Sequence, residues 1–521
     1  MNTSHRLPVR AVLLVVCLLG LSAPRSSLAQ VAPDVAALDA YFAKALGDWD
    51  VPGMSVAIVK DGRVVLLKGY GVRERGKPEP VDEHTRFAIA SNSKAFTAAA
   101  LAVLVDQKRL SWDDPVRKWL PWFELRDPIA SAEIRVRDLV SHRAGLGTLS
   151  GDLLWYGTPW SREEVLRRVR FLEPRFPFRT QYGYSNVMFI AAGEVVASAS
   201  GQSWDEFVAS QFFGPLGMAD TVTSVKALPP GGNTATPHGP VGTGARTYAW
   251  YSGDAAAAAA GVISSAHDMA RWLMLQLGRG TLDGRTYFSE PQSRAMWTPI
   301  VSFTISREAE ARSPTTHFRG YGMGWNLRDY HGRLIASHGG AYDGMYSAVS
   351  LVPEERLGVV VLTNAMTSIG DALAARVVDA YLGATARDWS QEHLEREREH
   401  VKQWTGAIQK AKEPELPGTK PSLSLEAYAG TYSGNVYGEA SVSLDSGALV
   451  LRLLANPDLV ADLSPLQLDT FVIRWRKAFP WFAEGRAQFV LDNRGQVTRL
   501  ELNVPNEDFW FQELDLRRTA R

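Results

Sequence analysis

One cysteine, Cys17, is all the chain contains, and it lies in an apolar run near the start. Val16 before it is not the small residue that a lipoprotein site requires. Downstream there can be no disulfide, no thiol nucleophile and no thiolate-bound metal. An excess of either charge is also missing, since 56 Lys and Arg balance 56 Asp and Glu. No basic block is long enough to track phosphates, so nucleic acid is not an expected partner. Absent too are the G-x-S-x-G elbow of α/β-hydrolases and the HExxH pair of zinc proteases. Gly71 to Lys77, GVRERGK, imitates a phosphate-binding loop, but Pro78 stands where Ser or Thr would hold magnesium. No metal and no other cofactor is implied. His142, His267 and His317 read as structural or surface residues.

Residues 1–29 read as a signal peptide. Arg6 and Arg10 precede the apolar run Ala11 to Leu21, and Ser27-Leu28-Ala29 offers a cleavage site before Gln30. The run is too short for a membrane span, which needs ~20 residues. After cleavage no transmembrane anchor would remain, and the expected location is periplasmic or secreted.

With 521 residues, 45% hydrophobic and 21% charged, the chain can fill one large core and one smaller. Val35, Leu38, Phe42 and Leu46 recur at helical spacing. MSVAIVKDGRVVLLKGYGV reads as two strands joined at Asp61-Gly62. A long, mainly helical middle follows, and strands return at Tyr321 to Leu327, Leu334 to Ser337 and Leu357 to Leu362. Strands at both ends with helices between them describe a sheet completed by distant parts of the chain. Residues 30–387 are expected to form this unit. Residues 388–424 read as a charged helix and linker, and the run SQEHLEREREHVKQW as a solvated helix face without functional weight. Short alternating segments with turns at Gly434, Ser446-Gly447 and Arg494-Gly495 make 425–521 a small β-barrel. Ending the chain near Pro414 would therefore remove no motif residue. The Ala255 to Ala260 run marks packed backbone where larger side chains would not fit.

Chemistry concentrates in FAIASNSKAFTAAALAVL, residues 87 to 104. Lysine is seldom fully buried, yet Lys94 stands one turn into an otherwise apolar helix, on one face with Ser91. A serine hydroxyl is a weak nucleophile until a base takes its proton. A lysine kept in apolar surroundings is discouraged from carrying charge and can be that base. Taken alone, S-x-x-K is also the pattern of a serine cap followed by a snorkelling lysine. Two further stretches occur once each: Tyr184-Ser185-Asn186, before an apolar helical run, and His338-Gly339-Gly340, after the strand LIAS.

Together these motifs resemble the serine β-lactamase and penicillin-binding DD-peptidase superfamily. Its class C-type branch, with DD-peptidases, D-aminopeptidases and β-lactamase-like carboxylesterases, is the most similar. Asp138 to Leu146 (DLVSHRAGL), FGPLGMADT and YGMGW support the resemblance, which covers about residues 35 to 385. The C-terminal unit resembles the small lipocalin-like domain appended to some members. The implied fold is α+β: an α/β/α sandwich with an antiparallel sheet and a helical subdomain, plus the barrel. One departure stands out, because many relatives carry K-T-G where this chain has His338-Gly339-Gly340, which disfavours β-lactamase activity.

The resemblance implies that Ser91 attacks a carbonyl to form an acyl-enzyme, with Lys94 and Tyr184 sharing the general-base work. Tyr184 could act so only if a nearby cation such as Lys94 favoured phenolate or relayed its proton. Asn186 would bind a substrate amide or orient Lys94. His338, Gly339 and Gly340 would pair with the substrate backbone as an added strand. The backbone N–H groups of Ser91 and Ala341 would form the oxyanion hole. An ordinary imidazole titrates near ~6.5, so His338 would be expected to help hold a substrate carboxylate at pH 6 and less so at pH 8. The expected function is an exported serine hydrolase for a small-molecule or short-peptide substrate, a D-amino-acid peptidase or carboxylesterase. A class C-type β-lactamase and a non-catalytic binder of cell-wall fragments are the alternatives. Oligomeric state is left open.

Overall fold

The structure is a computed structural model that describes residues 33–239, 246–385 and 387–519. The expected signal peptide lies outside the described residues. The main sheet runs, in spatial order, Arg63–Gly71, Gly53–Lys60, Leu357–Thr363, Met345–Val352, Arg333–Tyr342, Asn326–Tyr330, Arg319–Tyr321 and Val301–Phe303. Every neighbouring pair is antiparallel. Asp61 and Gly62 turn the first hairpin with φ of 53° and 74°, and His331-Gly332 and Ser446-Gly447 repeat that positive pair. This is the turn whose twist suits two-residue hairpins.

Both sheet faces are covered. Val359 and Val361 join Leu38, Phe42 and Leu373 in one buried cluster, while Val360 and Leu362 join Trp272 and Leu273 in another. That explains why LGVVVLT is an unbroken apolar run rather than an alternating one. The result is the expected α/β/α sandwich, with helices Val35–Asp48 and Ile369–Leu382 on one face and Ser93–Asp106, Asn186–Ser200 and Ala266–Leu277 in the other layer. Among the described residues no helix is long and apolar enough to cross a membrane.

Two strand boundaries differ from the sequence expectation. Met345–Val352 is a further strand after Asp343-Gly344, and the strand expected to stop at Ser337 continues to Tyr342. His338, Gly339 and Gly340 pair with Val349, Ala348 and Ser347. The glycines do not end the strand; they let neighbours reach its backbone. A Cβ on Gly340 would lie 2.2 Å from the Ile89 carbonyl oxygen, and one on Gly339 would lie 2.3 Å from the Tyr346 hydroxyl.

Eight strands between Gly430 and Arg518 close into the C-terminal barrel. Its residues share one buried cluster with the helical layer. Asn456 Nδ2 donates to the Tyr156 carbonyl at 3.0 Å. Trp510 packs over Gly147, where a Cβ would stand 2.8 Å from the indole. Glu513 accepts hydrogen bonds from the Ser150 hydroxyl and, at 2.9 Å, from the Gly151 N–H. The tail contains no motif residue, yet it is docked on the loop that follows Leu146. Ending the chain at Pro414 would strip this face.

Glu513→Ala leaves a buried hydroxyl and a backbone N–H without their acceptor. A loss of ~1–3 kcal/mol in urea unfolding is expected, the usual cost of unpaired buried polar groups. An unchanged midpoint would mean that this contact does not hold the barrel.

Candidate active site

Ser91 sits in a single 3₁₀ turn, Ala90–Asn92, that feeds the buried helix Ser93–Asp106. Ala90 adopts φ of 46°, a costly backbone for a residue with a side chain. Its neighbours hold it there. The Ser93 hydroxyl donates to the Ala90 carbonyl at 2.6 Å and accepts from the Val262 N–H at 3.0 Å. Ser347 Oγ donates to the Ile89 carbonyl at 2.7 Å and accepts from Asn92 Nδ2 at 2.8 Å. The serine is thus clamped against the strand Met345–Val352.

Lys94 is completely buried. Its Nζ lies 3.0 Å from Ser91 Oγ, 2.7 Å from Asn186 Oδ1 and 3.0 Å from the Ala259 carbonyl oxygen. Two of these partners can only accept, whereas the serine hydroxyl can donate. A neutral amine, with two protons and one lone pair, satisfies all three contacts if its lone pair faces Ser91. Burial lowers the Lys94 pKa to about 7, with the Asp152 carboxylate pulling it back upward. The alanine run has the packing role expected of it. Ala258 and Ala259 supply carbonyls to Thr97 and Lys94, and a Cβ on Gly193 would meet the Ala258 methyl at 2.6 Å.

Asp152 was not legible as a site residue. It is buried, accepts from Asn186 Nδ2 at 2.6 Å and from Trp155 Nε1 at 3.0 Å, and burial raises its pKa to about 8. Both ends of the Asn186 amide are therefore engaged. Of the two roles open to Asn186, the geometry favours orienting Lys94 over binding a substrate amide.

Tyr184 leads into the helix Asn186–Ser200, whose N-cap is Ser185. Lys94 Nζ stands 4.6 Å from the centroid of its ring. Burial pushes the phenol well above its usual pKa of 10, against a weaker opposing effect of its hydrogen bond with Ser91. Of the two ways open to Tyr184, the raised pKa disfavours a phenolate and leaves the relay of a proton. His142, also buried, accepts from the Ser185 N–H at 3.0 Å, and its ring lies 4.2 Å from that of Tyr184. This histidine is structural, as expected, and its work is to position Tyr184.

His338 is buried too, and its pKa falls to about 3 through burial and then the Lys94 charge. Nε2 lies 3.1 Å from the Tyr321 hydroxyl and Nδ1 lies 2.6 Å from the Gly339 carbonyl. Both ring nitrogens have protein partners, so the expectation of a charged, carboxylate-holding His338 at pH 6 does not stand. The remaining site residues converge. Ser91, Tyr184, Asn186, His338, Gly339 and Ala341 line one cavity of about 320 Å³. A Cβ on Gly340 would stand 2.9 Å from Ser91 N, which brings the backbones of the two oxyanion-hole segments into contact. Aromatic residues wall the cavity, among them Tyr156, Tyr251 and Tyr342. The barrel adds Trp481, Asp508 and Phe509. Trp481 Nε1 donates to Asp343, which also accepts from the Tyr156 hydroxyl at 3.0 Å.

Elsewhere His84, Asp220 and His267 bring three ligand-type atoms within 4.8 Å of one another. The Asp220 carboxylate there is already held by Arg86 at 3.2 Å and by Ser265 at 2.9 Å, as in an ordinary surface network.

Comparison with known proteins gives a consistent picture. The family model described as Beta-lactamase matches residues 38–384. A second, described as a domain of unknown function (DUF3471), matches 415–518. Unguisins hydrolase ungD' of Aspergillus campestris is 29% identical over 83% of this chain and 81% of its own. Protein flp of Staphylococcus aureus is 26% identical over 60% of each chain. Among solved structures, the octameric penicillin-binding protein homologue from Pyrococcus abyssi superposes with a TM-score of 0.59 at 22% identity, covering 93% of this chain and 100% of its own. A class C beta lactamase from Rhodobacter sphaeroides gives 0.54 at 23% identity, over 67% of this chain and 98% of its own.

Two predictions follow from the titrating groups. If Lys94 must be neutral to act, kcat/KM falls as pH drops through its pKa. Asp152 and Lys94 titrate as a coupled pair, and Asp152→Asn removes the carboxyl whose ionised form raises the Lys94 pKa, so the acidic limb of the profile should move to lower pH. An unmoved limb would show that Asp152 is not coupled to Lys94. The second concerns His338, which stays neutral across the whole interval from pH 6 to 8. KM for a carboxylate-bearing ester, divided by KM for its uncharged analogue, should therefore stay flat over that interval. A rise centred near ~6.5 would return charge recognition to His338.

Proposed function

Because the chain belongs to the Beta-lactamase family, as a serine hydrolase, we propose that it cleaves an amide or ester bond through an acyl-enzyme on Ser91. The observation that carries this reading is the Lys94 amine, buried and held between Ser91 Oγ, Asn186 Oδ1 and the Ala259 carbonyl. Ser91 Oγ attacks the substrate carbonyl and its proton passes to Lys94 Nζ. The backbone N–H groups of Ser91 and Ala341 receive the oxyanion that forms. Collapse of the intermediate expels the amine or alcohol. That leaving group takes a proton from Lys94 relayed through the neutral Tyr184 hydroxyl. Water then attacks the acyl carbonyl and gives a proton to Lys94; collapse of that second intermediate breaks the acyl–Oγ bond as Lys94 returns the proton to Ser91.

The substrate class we infer is a small peptide-like amide or a carboxylic ester with an apolar group beside the scissile carbonyl. An aromatic-walled cavity supports this choice, as does the relatives' printed name of unguisins hydrolase. The His338 strand offers backbone to an extended substrate. A neutral His338 where many relatives carry lysine speaks against a β-lactamase. A mere binder of cell-wall fragments would have no need of a buried nucleophile–base pair. We further propose that the protein is exported to the periplasm or secreted, on the strength of the Ala11 to Leu21 run and its flanks. Cell fractionation tests that proposal.

The main test is labelling by a fluorophosphonate with mass-spectrometric mapping. The wild-type protein should carry the adduct on Ser91, and Ser91→Ala should carry none and turn over nothing. An adduct on the Ser91→Ala variant would overturn the assignment. Tyr184→Phe should lower kcat by ~10²–10⁴-fold on an amide. It should do much less harm on a nitrophenyl ester, whose leaving group needs no proton. Equal losses on both substrates would make Tyr184 structural.

A further inference from the structure

Behind the strand Arg333–Tyr342 lies a second cavity, of about 480 Å³, lined by five arginines and a single carboxylate, Asp371. Arg312, Arg319, Arg328 and Arg396 reach it from four separate elements, and Arg387 is the fifth. Arg387 is neutralised by Glu392, at 2.5 Å. Among the described residues the other four make no ion pair. The Arg396 Nε bonds only the Glu392 carbonyl, at 3.2 Å, and among the described residues the Arg328 side chain makes only a loose approach to the face of Tyr330, at 5.2 Å.

The nearby acids offset only part of this charge, because Asp371 is the one carboxylate that lines the cavity. Asp371 accepts from the Tyr346 hydroxyl at 2.7 Å, and burial raises its pKa to about 6. Asp379 is held by the Tyr330 hydroxyl at 2.6 Å and by the Trp389 indole. Five guanidinium groups thus line the cavity against one carboxylate. Burial, and then the charge of Arg319, hold Arg328 below the usual arginine range. Burial, then Arg312 and Arg387, do the same to Arg396. His393, beside them, is lowered to about 4 by burial and then by Arg396, and it stays neutral. Arg312, Arg319 and Arg396 are exposed and Arg328 is half-buried, so water screens part of the repulsion, yet so much charge of one sign around a hollow draws an anion into it. Planar guanidinium forks match phosphate and carboxylate oxygens in geometry as well as charge.

We propose that this cavity is a second ligand site, separate from the Ser91 cavity, for a small organic anion with two or more negative charges, a phosphate ester or a polycarboxylate. Its volume exceeds what a single phosphate needs. Tyr346 separates the two cavities while lining both, with its hydroxyl in the space that a side chain on residue 339 would take.

The test uses the full-length protein with two probes, inorganic pyrophosphate and citrate, by calorimetry and thermal shift at low ionic strength. Wild type should bind at least one probe, with a raised Tm and an affinity that falls with salt. Pyrophosphate as the tighter probe marks a phosphate ester, and citrate a polycarboxylate. Arg328→Gln should weaken binding by about tenfold or more, as expected for loss of a charge-assisted fork. Should that half-buried variant fail to fold, Arg319→Gln and Arg396→Gln at exposed positions decide, each with a several-fold loss. Ser91→Ala should bind as wild type does. The proposal is overturned if neither probe binds at millimolar concentration, if binding survives undiminished in the arginine variants, or if it is lost in Ser91→Ala.

Discussion

A lysine amine with no access to water is the constraint on which the rest of the site depends. Lys94 Nζ has three neighbours within hydrogen-bond distance, and two of them, the Asn186 and Ala259 oxygens, can only accept. The third is the Ser91 hydroxyl, the proposed nucleophile. That arrangement serves a neutral amine and aims its lone pair at the hydroxyl that must lose a proton. Much of the surrounding structure maintains it. The alanine run is small so that its carbonyls can reach the helix of Ser91. Asn186 is held from behind by Asp152. Asp152 in turn is anchored by the Trp155 indole.

Removing water from one group forces its neighbours to be dry as well. Tyr184 and His338 both face Lys94 in the same interior, and each is held in its uncharged form by burial. The site therefore keeps its phenol and imidazole neutral at rest, and an amine with a pKa of about 7 is available in its neutral form near neutral pH. Charge that develops in such a dry interior is where preorganised donors and dipoles contribute most. The barrel contributes to this exclusion of water. Trp481 and Phe509 close one side of the cavity, and Glu513 and Asn456 hold the barrel against the loop that carries Asp152. A domain that supplies none of the three chemical groups still decides how wet they are.

How much of this could be read in the sequence depends on the reach of each signal. Ser91 and Lys94 are one helical turn apart, and Tyr184 and Asn186 begin a helix, so local spacing exposed them. The split sheet and the barrel were likewise legible, because hydrophobic periodicity and Asp-Gly or His-Gly turns act over a few residues, whereas the sandwich came from the family resemblance. Asp152 was not, since GDLLW has no pattern and the carboxylate meets Asn186 only through tertiary packing. Asp343-Gly344 carried a hairpin signal that would have revealed Met345–Val352. The pair Gly339-Gly340 misled in the other direction, suggesting a strand end where it marks close packing. The charge state of His338 failed for a plainer reason: an imidazole read at its solution pKa is assumed wet, and burial is not written in the sequence.

The strand Arg333–Tyr342 joins these observations. One of its faces presents His338 to the catalytic interior, and its glycines admit the Ser91 turn on one side and Tyr346 on the other. Replacing either glycine would force backbone or Tyr346 aside, so the same two residues that let the nucleophile approach also set the wall of the arginine-lined cavity. Arg396 reaches that cavity from the helix Trp389–Ala411, whose charges read in sequence as simple solvation. A charged helix face can thus be ordinary along most of its length and still supply one unpaired cation where four elements meet. Periodicity cannot distinguish that position from its neighbours; only the fold brings Arg312, Arg319, Arg328 and Arg396 around one space.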